Sequence, residues 1–368
     1  MDPRVRDHAR IIVDHSIDLQ AGDEVLLSGG SLADDLVVAL HEEIADRDAF
    51  PIVWGRPSRA HRAFMRTMDP EAYDEVPETL EAMVENVDAA IGIRASENTF
   101  ETSDVDPEKT TAFQSLLQPI QGTMMEKRWV GTQYPAPGNA QDAEMSTEAY
   151  EDFVWNAINK DWSEQREFQQ PMADRLDDGS EVHIVSGETT DVTMSIEGTV
   201  GKNDHAENNL PGGEVYTAPV PDSVQGEVLF DMPLMAHGRE VQDVRLQFED
   251  GRVVEYEAAK NEDVLAAVLD TDDGASRLGE LGIRMNRDID RFTYNMLFDE
   301  KMGDTVHMAL GRAYEDNVPE DCPVERNESA IHMDMIVDMS ENSSITIDGE
   351  LVQRDGAFWF EDEFDEEV

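Results

Sequence analysis

Apolar residues in the first part of the chain alternate between helical spacing and short strand-like runs. A helical pattern over 5–17 leads into the apolar run 25–27, and a second helical pattern over 32–44 leads into the run 52–54. This succession is typical of a unit in which a helix connects two parallel strands. The run 89–93 predicts a further strand. The N-terminal region is therefore predicted to be an α/β domain with an open sheet.

The second half of the chain is rich in strand-like segments. Residues 182–185 and 192–196 have the length and alternation of strands, and so do 244–248 and 253–256. An Asp250-Gly251 pair separates the last two segments, and Asp-Gly between alternating runs is a strong hairpin signal. This region is predicted to be an α+β domain.

A charged helical pattern over 163–176 connects the two regions. A chain of 368 residues usually divides into two domains, each with its own core. We therefore predict an α/β domain over 1–170 and an α+β, metal-binding catalytic domain over 171–368. Near the C-terminal end, the pattern predicts a closing hairpin between 345–349 and 358–360.

The chain is strongly acidic. It has 82 acidic and 28 basic residues and a formal net charge of -54. In molar salt the Debye length falls to about 3 Å and screens this repulsion, so the composition predicts a protein from a salt-accumulating halophile. The same charge argues against nucleic acid and anionic membrane surfaces as partners. The 40% of hydrophobic residues indicate a folded core rather than a disordered chain.

Cysteine usage and the N-terminal segment bear on location. Cys322 is the single cysteine, so no intramolecular disulfide is possible. Residues 1–10 are polar and charged, without the apolar region of a signal peptide, and no apolar stretch reaches about 18 residues. The sequence therefore predicts a soluble, cytoplasmic protein.

Two histidines in strand-like segments are the first candidates for chemistry. His332 and Asp334 are two residues apart in an alternating run, so both project from the face opposite to the apolar positions of 331–337. His307 alternates in the same way with the apolar positions of 306–310. An imidazole beside a carboxylate is half of a metal site. Two such strands can bring both histidines to one centre.

Two glutamates add further donors. Glu214 follows a Pro-Gly-Gly turn at the start of an apolar run, and Glu280 lies between glycines among apolar residues. Either could be an ordinary surface acid when considered alone. Together with two histidines and an aspartate, they provide enough donors for two divalent ions if one carboxylate bridges them. Such a pair lowers the pKa of a shared water and polarises a carbonyl oxygen, and amide hydrolysis is its natural use.

Two more residues have roles that the pattern leaves open. Glu300 could be a further ligand or a general base. Tyr314 could stabilise a developing oxyanion, approach a metal, or simply be a half-buried ring.

Four motifs occur in the second half: N-x-P-x-G-E-V-[FY]-x-A-P at 209–219, G-E-x-G-I-x-x-N at 279–286, D-E-K-x-x-x-T-x-H-x-A-L-G-x-x-Y at 299–314, and N-x-S-x-x-H-x-D-M at 327–335. In this order they resemble the motifs of the thermophilic-type metallo-aminopeptidases, the group that contains aminopeptidase T and aminopeptidase S. The resemblance implies a homodimeric exopeptidase that removes N-terminal amino acids from peptides. It also implies two divalent ions, usually zinc or cobalt.

The resemblance further implies which residues form the site. Matched position by position, the metal site consists of Glu214, Glu280, Glu300, His307, His332 and Asp334, and the site tyrosine is Tyr314. The resemblance does not say which carboxylate bridges, nor whether Glu300 acts as a ligand or as a base.

Two alternatives remain at this point. Related sequences include mononuclear iron dioxygenases that cleave aromatic rings, for which His307, His332 and Asp334 alone would form the required triad. The presence of Glu214 and Glu280 favours the hydrolase, because a one-metal site does not need them. A non-catalytic metal-binding protein is the other alternative, and it would hold metal without peptidase activity.

Overall fold

The computed structural model describes residues 1–55, 57–73, 75–236, 239–319 and 322–365. The chain divides into two compact units, Met1–Trp162 with Ala206–Gly212, and Ser163–His205 with Gly213–Val368. Within the described residues, no helix is both long enough and apolar enough to cross a membrane.

The first unit contains a parallel sheet of five strands in the order β2-β1-β3-β4-β8. These strands are β1 (Glu24–Gly29), β2 (Phe50–Gly55), β3 (Ala89–Arg94), β4 (Arg128–Gln133) and β8 (Asn209–Leu210). The central strands β1 and β3 are largely buried, as expected for parallel strands that helices cover. The predicted open α/β sheet is therefore present.

Along the chain, the helices of the first unit lie before, between and after strands β1 to β4. They are α1 (Pro3–Ile11), which continues as a π-helical turn (Ile12–Ser16), then α2 (Asp34–Asp46), α3 (Ser58–Thr67), α4 (Glu78–Asn86), α5 (Pro107–Met125), α6 (Pro137–Asp142) and α7 (Thr147–Ile158). The Ser146 hydroxyl accepts a hydrogen bond from the Ala149 amide at 3.2 Å and so caps the N-terminus of α7. A further helix, α8 (Trp162–Asp178), begins where the first unit ends.

A buried histidine in α1 is held by a strand of the same unit. The Thr132 hydroxyl donates to the Leu210 carbonyl at 2.9 Å, so it accepts from His8 Nε2 at 2.8 Å. His8 Nδ1 is then the unprotonated nitrogen, and it has no hydrogen-bond partner among the described residues. Burial lowers the pKa of His8 to about 3, because protonation would place an unpaired charge in the core.

This histidine should make stability depend on pH. The unfolded chain protonates His8 near pH 6.5 and the folded chain only near its pKa of about 3, so the contribution is complete above pH 6.5 and is lost as the pH falls. The slope is about 1.4 kcal/mol per pH unit, or about 2 kcal/mol between pH 7 and pH 5. We expect His8→Gln to lose less stability than the wild type over this interval, as measured by urea unfolding in molar KCl. Parallel curves for the two proteins would contradict a neutral, buried His8.

The second unit contains two large antiparallel sheets and a small hairpin. The larger sheet has eight strands in the order β14-β13-β10-β6-β5-β18-β19-β20, and the smaller has five in the order β17-β16-β15-β9-β7. The strands of the larger sheet are β5 (Glu181–Ser186), β6 (Thr190–Ser195), β10 (Gln225–Phe230), β13 (Val244–Glu249), β14 (Arg252–Glu257), β18 (Ser343–Ile347), β19 (Glu350–Arg354) and β20 (Ala357–Phe358). The expected Asp250-Gly251 hairpin joins β13 and β14.

The remaining elements complete this unit. The smaller sheet consists of β7 (Lys202–Asp204), β9 (Glu214–Thr217), β15 (Leu278–Arg284), β16 (Thr305–Gly311) and β17 (His332–Asp338), while β11 (Leu234–Ala236) and β12 (Arg239–Val241) form the hairpin. Helix α9 (Glu262–Leu269) lies between β14 and β15, and helix α10 (Met296–Asp299) lies between β15 and β16. One hydrophobic core contains buried residues of both large sheets and of α8 and α9.

The predicted closing hairpin is wrong in its pairing. Strand β18 pairs with β19 through the Asp348-Gly349 turn, and β19 then pairs with β20 through Asp355-Gly356. Two tight turns with positive φ at Asp348 and Asp355 therefore replace one long connection.

Candidate metal centre

The five-stranded sheet of the second unit has one apolar and one polar face. Side chains alternate along each strand, so the odd and even positions lie on opposite sides. The apolar face belongs to the hydrophobic core and includes Val215, Leu281, Ile283, Val306, Met308, Leu310, Met335 and Val337. Every glutamate, histidine and aspartate proposed as a strand ligand lies on the opposite face.

Small residues of β15 and β16 make room for these ligands. Ala309 pairs with Glu280 on one side and with Asp334 on the other. Gly282 pairs with His307, and a Cβ atom on Gly282 would lie only 1.8 Å from the imidazole. The His307 ring therefore occupies the space that a side chain at position 282 would need. The polar face can then hold several large side chains over adjacent strands.

Four side chains from three strands converge on this surface. Glu280 Oε1 lies 2.7 Å from His307 Nε2, and Glu280 Oε2 lies 3.3 Å from His332 Nε2. Asp334 Oδ1 is 3.4 Å from His332 Nε2 and 3.8 Å from His307 Nε2. One donor atom from each of Glu280, His307 and Asp334 lies within 4.8 Å of the others. These nitrogen and oxygen donors are those that zinc and similar divalent cations take.

Glu214 extends the group from β9. Its Oε2 atom lies 3.5 Å from His307 Nδ1. Glu214 Oε2 accepts no hydrogen bond from the described residues, although the atom is buried. A buried carboxylate oxygen without a hydrogen bond is costly unless a cation compensates it. The donor set therefore fits the metal that the four motifs imply.

The charges of this group depend strongly on one another. Burial alone would lower the pKa of His332, but Asp334 and Glu280 outweigh it and raise the pKa to about 11. Burial would raise the pKa of Asp334 and of Glu280, yet the neighbouring imidazoles keep both below their usual values. Asp334 and Glu280 are therefore anionic at neutral pH and ready to bind a cation.

Lys301 is a site residue that the sequence analysis did not assign. Its side chain is only 2% exposed, and its ammonium contacts Glu214 Oε1 directly. The same nitrogen lies 3.2 Å from Glu300 Oε1 and 3.3 Å from Asp204 Oδ2. Burial raises the pKa of Glu214 to about 7 although Lys301 opposes this shift. The pKa of Lys301 is well above its ordinary value, because three carboxylates outweigh its burial.

Arg284 is a second such residue. It is fully buried, and its Nε–H donates to His307 Nδ1 at 3.0 Å while Nη1 donates to the Asp299 carbonyl. Because a guanidinium only donates, the ring proton of His307 is on Nε2, where it faces Glu280. The contacts with Arg284 and Glu280 therefore fix the orientation of the His307 ring.

Glu300 and Tyr314 lie beside the cluster. Glu300 directly follows α10, is 21% exposed, and contacts Lys301. The Tyr314 ring lies 4.8 Å from the His332 ring and 6.1 Å from the Tyr216 ring, both measured between centroids. Burial raises the pKa of Tyr314, so its hydroxyl keeps its proton and can donate a hydrogen bond.

The structure thus brings five of the predicted ligands together directly, namely Glu214, Glu280, His307, His332 and Asp334. The contact of Glu300 to this group passes through Lys301, and Tyr314 packs against His332. Tyr216 was not assigned either, although it lies inside the motif that carries Glu214.

Two named aminopeptidases match nearly the whole chain, and a third matches a shorter part of it. Aminopeptidase 2 of Geobacillus stearothermophilus is 26% identical over an alignment of 397 positions, which covers 95% of this chain and 94% of that protein. AmpS of Bacillus subtilis is also 26% identical, over 97% of this chain and 98% of its own length. Aminopeptidase T of Thermus aquaticus is 37% identical over 151 residues, which cover 38% of this chain and 36% of that protein.

Solved structures show the same fold. Wild-type AmpT from Thermus thermophilus superimposes with a TM-score of 0.84 at 23% identity and covers 97% of this chain and 99% of its own. A 2,5-dihydroxypyridine dioxygenase from Pseudomonas putida shares the fold with a TM-score of 0.61 at 12% identity, and covers 97% of each chain.

A family model described as thermophilic metalloprotease (M29) matches residues 1–358 of the 368. The family expected from the four motifs is thereby confirmed, and with it a peptidase that depends on a divalent metal. The chain belongs to the M29 thermophilic metalloproteases, and it is a metallo-aminopeptidase.

Proposed function

We propose that this protein hydrolyses the N-terminal peptide bond of peptides at a dinuclear metal centre in the region 171–368. The ligands proposed are Glu214, Glu280, His307, His332 and Asp334. The observation that carries the proposal is the position of Glu280, whose two oxygens lie 2.7 and 3.3 Å from the two imidazoles. A carboxylate that reaches two imidazoles at once is well placed to bridge two cations.

Two divalent ions, with zinc or cobalt proposed, would supply a Lewis acid and an acidified water when bound. The protein's own residues supply the rest. Glu300 is partly exposed at the edge of the cluster, where it can take a proton from water and return it to the leaving amine. The Tyr314 hydroxyl can donate to the oxygen that develops negative charge on the substrate.

The ring-cleaving dioxygenase is the weaker alternative. It needs only His307, His332 and Asp334, whereas the structure adds Glu280 between the imidazoles and Glu214 beside His307. Two further buried carboxylates would add negative charge that a single iron does not require. The homodimer, the cytoplasmic location and the salt-accumulating source stay predictions.

Metal analysis and peptidase assays on the same preparation test the proposal. For protein purified in molar KCl, we expect about two zinc or cobalt ions per chain by mass spectrometry, and release of leucine from leucyl amide. Chelation should remove the ions and reduce the activity at least about a hundredfold, because the cations carry much of the transition-state stabilisation. Added Zn²⁺ or Co²⁺ should restore it.

Two outcomes would contradict the proposed function. One iron per chain without peptidase activity would favour the dioxygenase. Tight binding of metal without turnover of either kind of substrate would favour a non-catalytic metal-binding protein. Mg²⁺ added to the chelated protein is the control for a non-specific effect of divalent ions.

A further inference from the structure

Lys301 connects three carboxylates that come from separate parts of the second unit. Asp204 lies on β7, Glu214 on β9, and Glu300 follows α10. The Lys301 ammonium lies 3.3 Å from Asp204, 3.2 Å from Glu300, and in direct contact with Glu214. Because the lysine is 2% exposed, water screens these charges poorly. The ammonium acts as a cation built into the protein beside the proposed centre.

The two ends of the ligand cluster differ in their relation to this ammonium. Glu214 gives Oε1 to Lys301 and keeps only Oε2, which lies 3.5 Å from His307, for a metal ion. Glu280 and Asp334 instead contact the imidazoles of His307 and His332. A metal ion held by Glu214 would therefore share its carboxylate with a fixed positive charge.

We propose that Lys301 makes the two cation positions unequal. The position formed by Glu280, His307, His332 and Asp334 fills first. The position that requires Glu214 fills second and more weakly, because the ammonium of Lys301 repels the incoming cation and occupies one oxygen of its ligand. This inference rests on the proposed dinuclear centre and adds that the second ion is the exchangeable one.

Calorimetric titration of the metal-free protein with Co²⁺ in molar KCl tests the inference. We expect two classes of site in the wild type, separated at least tenfold in Kd. In Lys301→Met the second Kd should fall at least tenfold, while the first changes less than threefold. Lys301→Arg keeps the charge and should keep the two classes apart.

Two control variants show whether a change in Kd comes from the lost charge of Lys301 or from damage to the fold. Lys260→Met removes a half-exposed lysine that pairs with Glu240, and it should leave both Kd values unchanged. Lys301→Gln retains a donor for Glu214 without the charge, and it serves if Lys301→Met does not fold by circular dichroism. The neutral Gln variant should bring the two Kd values together as Met does.

The outcomes distinguish this inference from the proposed function. Two ions of equal affinity in the wild type, or a gap unchanged in both neutral variants, would overturn the role of Lys301 and leave the dinuclear centre standing. No more than one ion in the wild type and in every variant would overturn both. One ion in the wild type but two in the neutral variants would support the inference in its strongest form.

Discussion

Glu280→Gln is expected to lose about a hundredfold to a thousandfold in kcat/KM for a leucyl substrate, the size of effect seen when a group that stabilises the transition state is removed. The carboxylate lies between His307 and His332 and is 4% exposed. The amide that replaces it keeps the shape but loses the charge. It also directs an N–H group towards one imidazole. Both changes remove the candidate bridge between two cations.

The same variant should lose metal as well as activity. We expect less than one ion per chain by mass spectrometry after dialysis, against about two in the wild type. Glu350→Gln is the matched control, because the Glu350 side chain is 78% exposed and, among the described residues, pairs only with Arg175. Thermal unfolding of both variants shows whether the fold is intact. A Glu280→Gln protein with two ions and more than a tenth of the activity would refute the bridging role.

The arrangement of the strand ligands was predictable because alternation determines which face a residue occupies. His332 and Asp334 project together from β17, and His307 projects from β16 on the same face. Antiparallel pairing then places Asp334 beside Ala309 and next to Glu280. The sequence pattern did not give the register between the strands. The four motifs indicated that these segments contribute to one site.

Strand alternation could not predict the contacts of the two charged residues beside the ligands, Lys301 and Arg284. Lys301 donates a hydrogen bond to Glu214, which is 87 positions away in sequence, and Arg284 donates one to His307, which is 23 positions away. In a chain with 82 acidic residues, no pattern says which of them a lysine contacts. One signal was available, because lysine occurs at only six positions, 109, 127, 160, 202, 260 and 301, and one of these lies inside a motif.

The fold was predictable where apolar faces are wide. Strands β1 and β3 are recognisable as buried runs, whereas helices α3 and α4 each bury a single residue, Met65 and Val84. Helices that bury so little have too few apolar residues to be recognised as part of a core. The placement of β8 in the parallel sheet depends on a contact with β4 some 78 positions away in sequence, which local spacing cannot reveal.

Gly282→Ala is expected to disable the site without changing any ligand. A Cβ atom at this position would lie 1.8 Å from His307 Cε1, 2.4 Å from Nδ1 and 2.6 Å from Nε2. No such approach is possible, so the imidazole has to move away from Glu280 and Arg284, which both contact it now. A displacement of about 1 Å in a catalytic group typically costs about a hundredfold in rate. We therefore expect a comparable loss of kcat/KM and weaker binding of Co²⁺.

The loss of activity in Gly282→Ala should come from a local change at the site and not from a general loss of stability. Overpacking of this kind costs about 1 to 3 kcal/mol, which leaves a folded protein whose activity can be measured. Gly122→Ala is the matched control: nothing lies within 4 Å of the new Cβ in α5, and alanine there should stabilise the helix by about 0.5 to 1 kcal/mol without affecting activity. If Gly282→Ala kept full activity and both Co²⁺ ions, His307 could not lie over this glycine. The ligand geometry proposed for β15 and β16 would then be wrong.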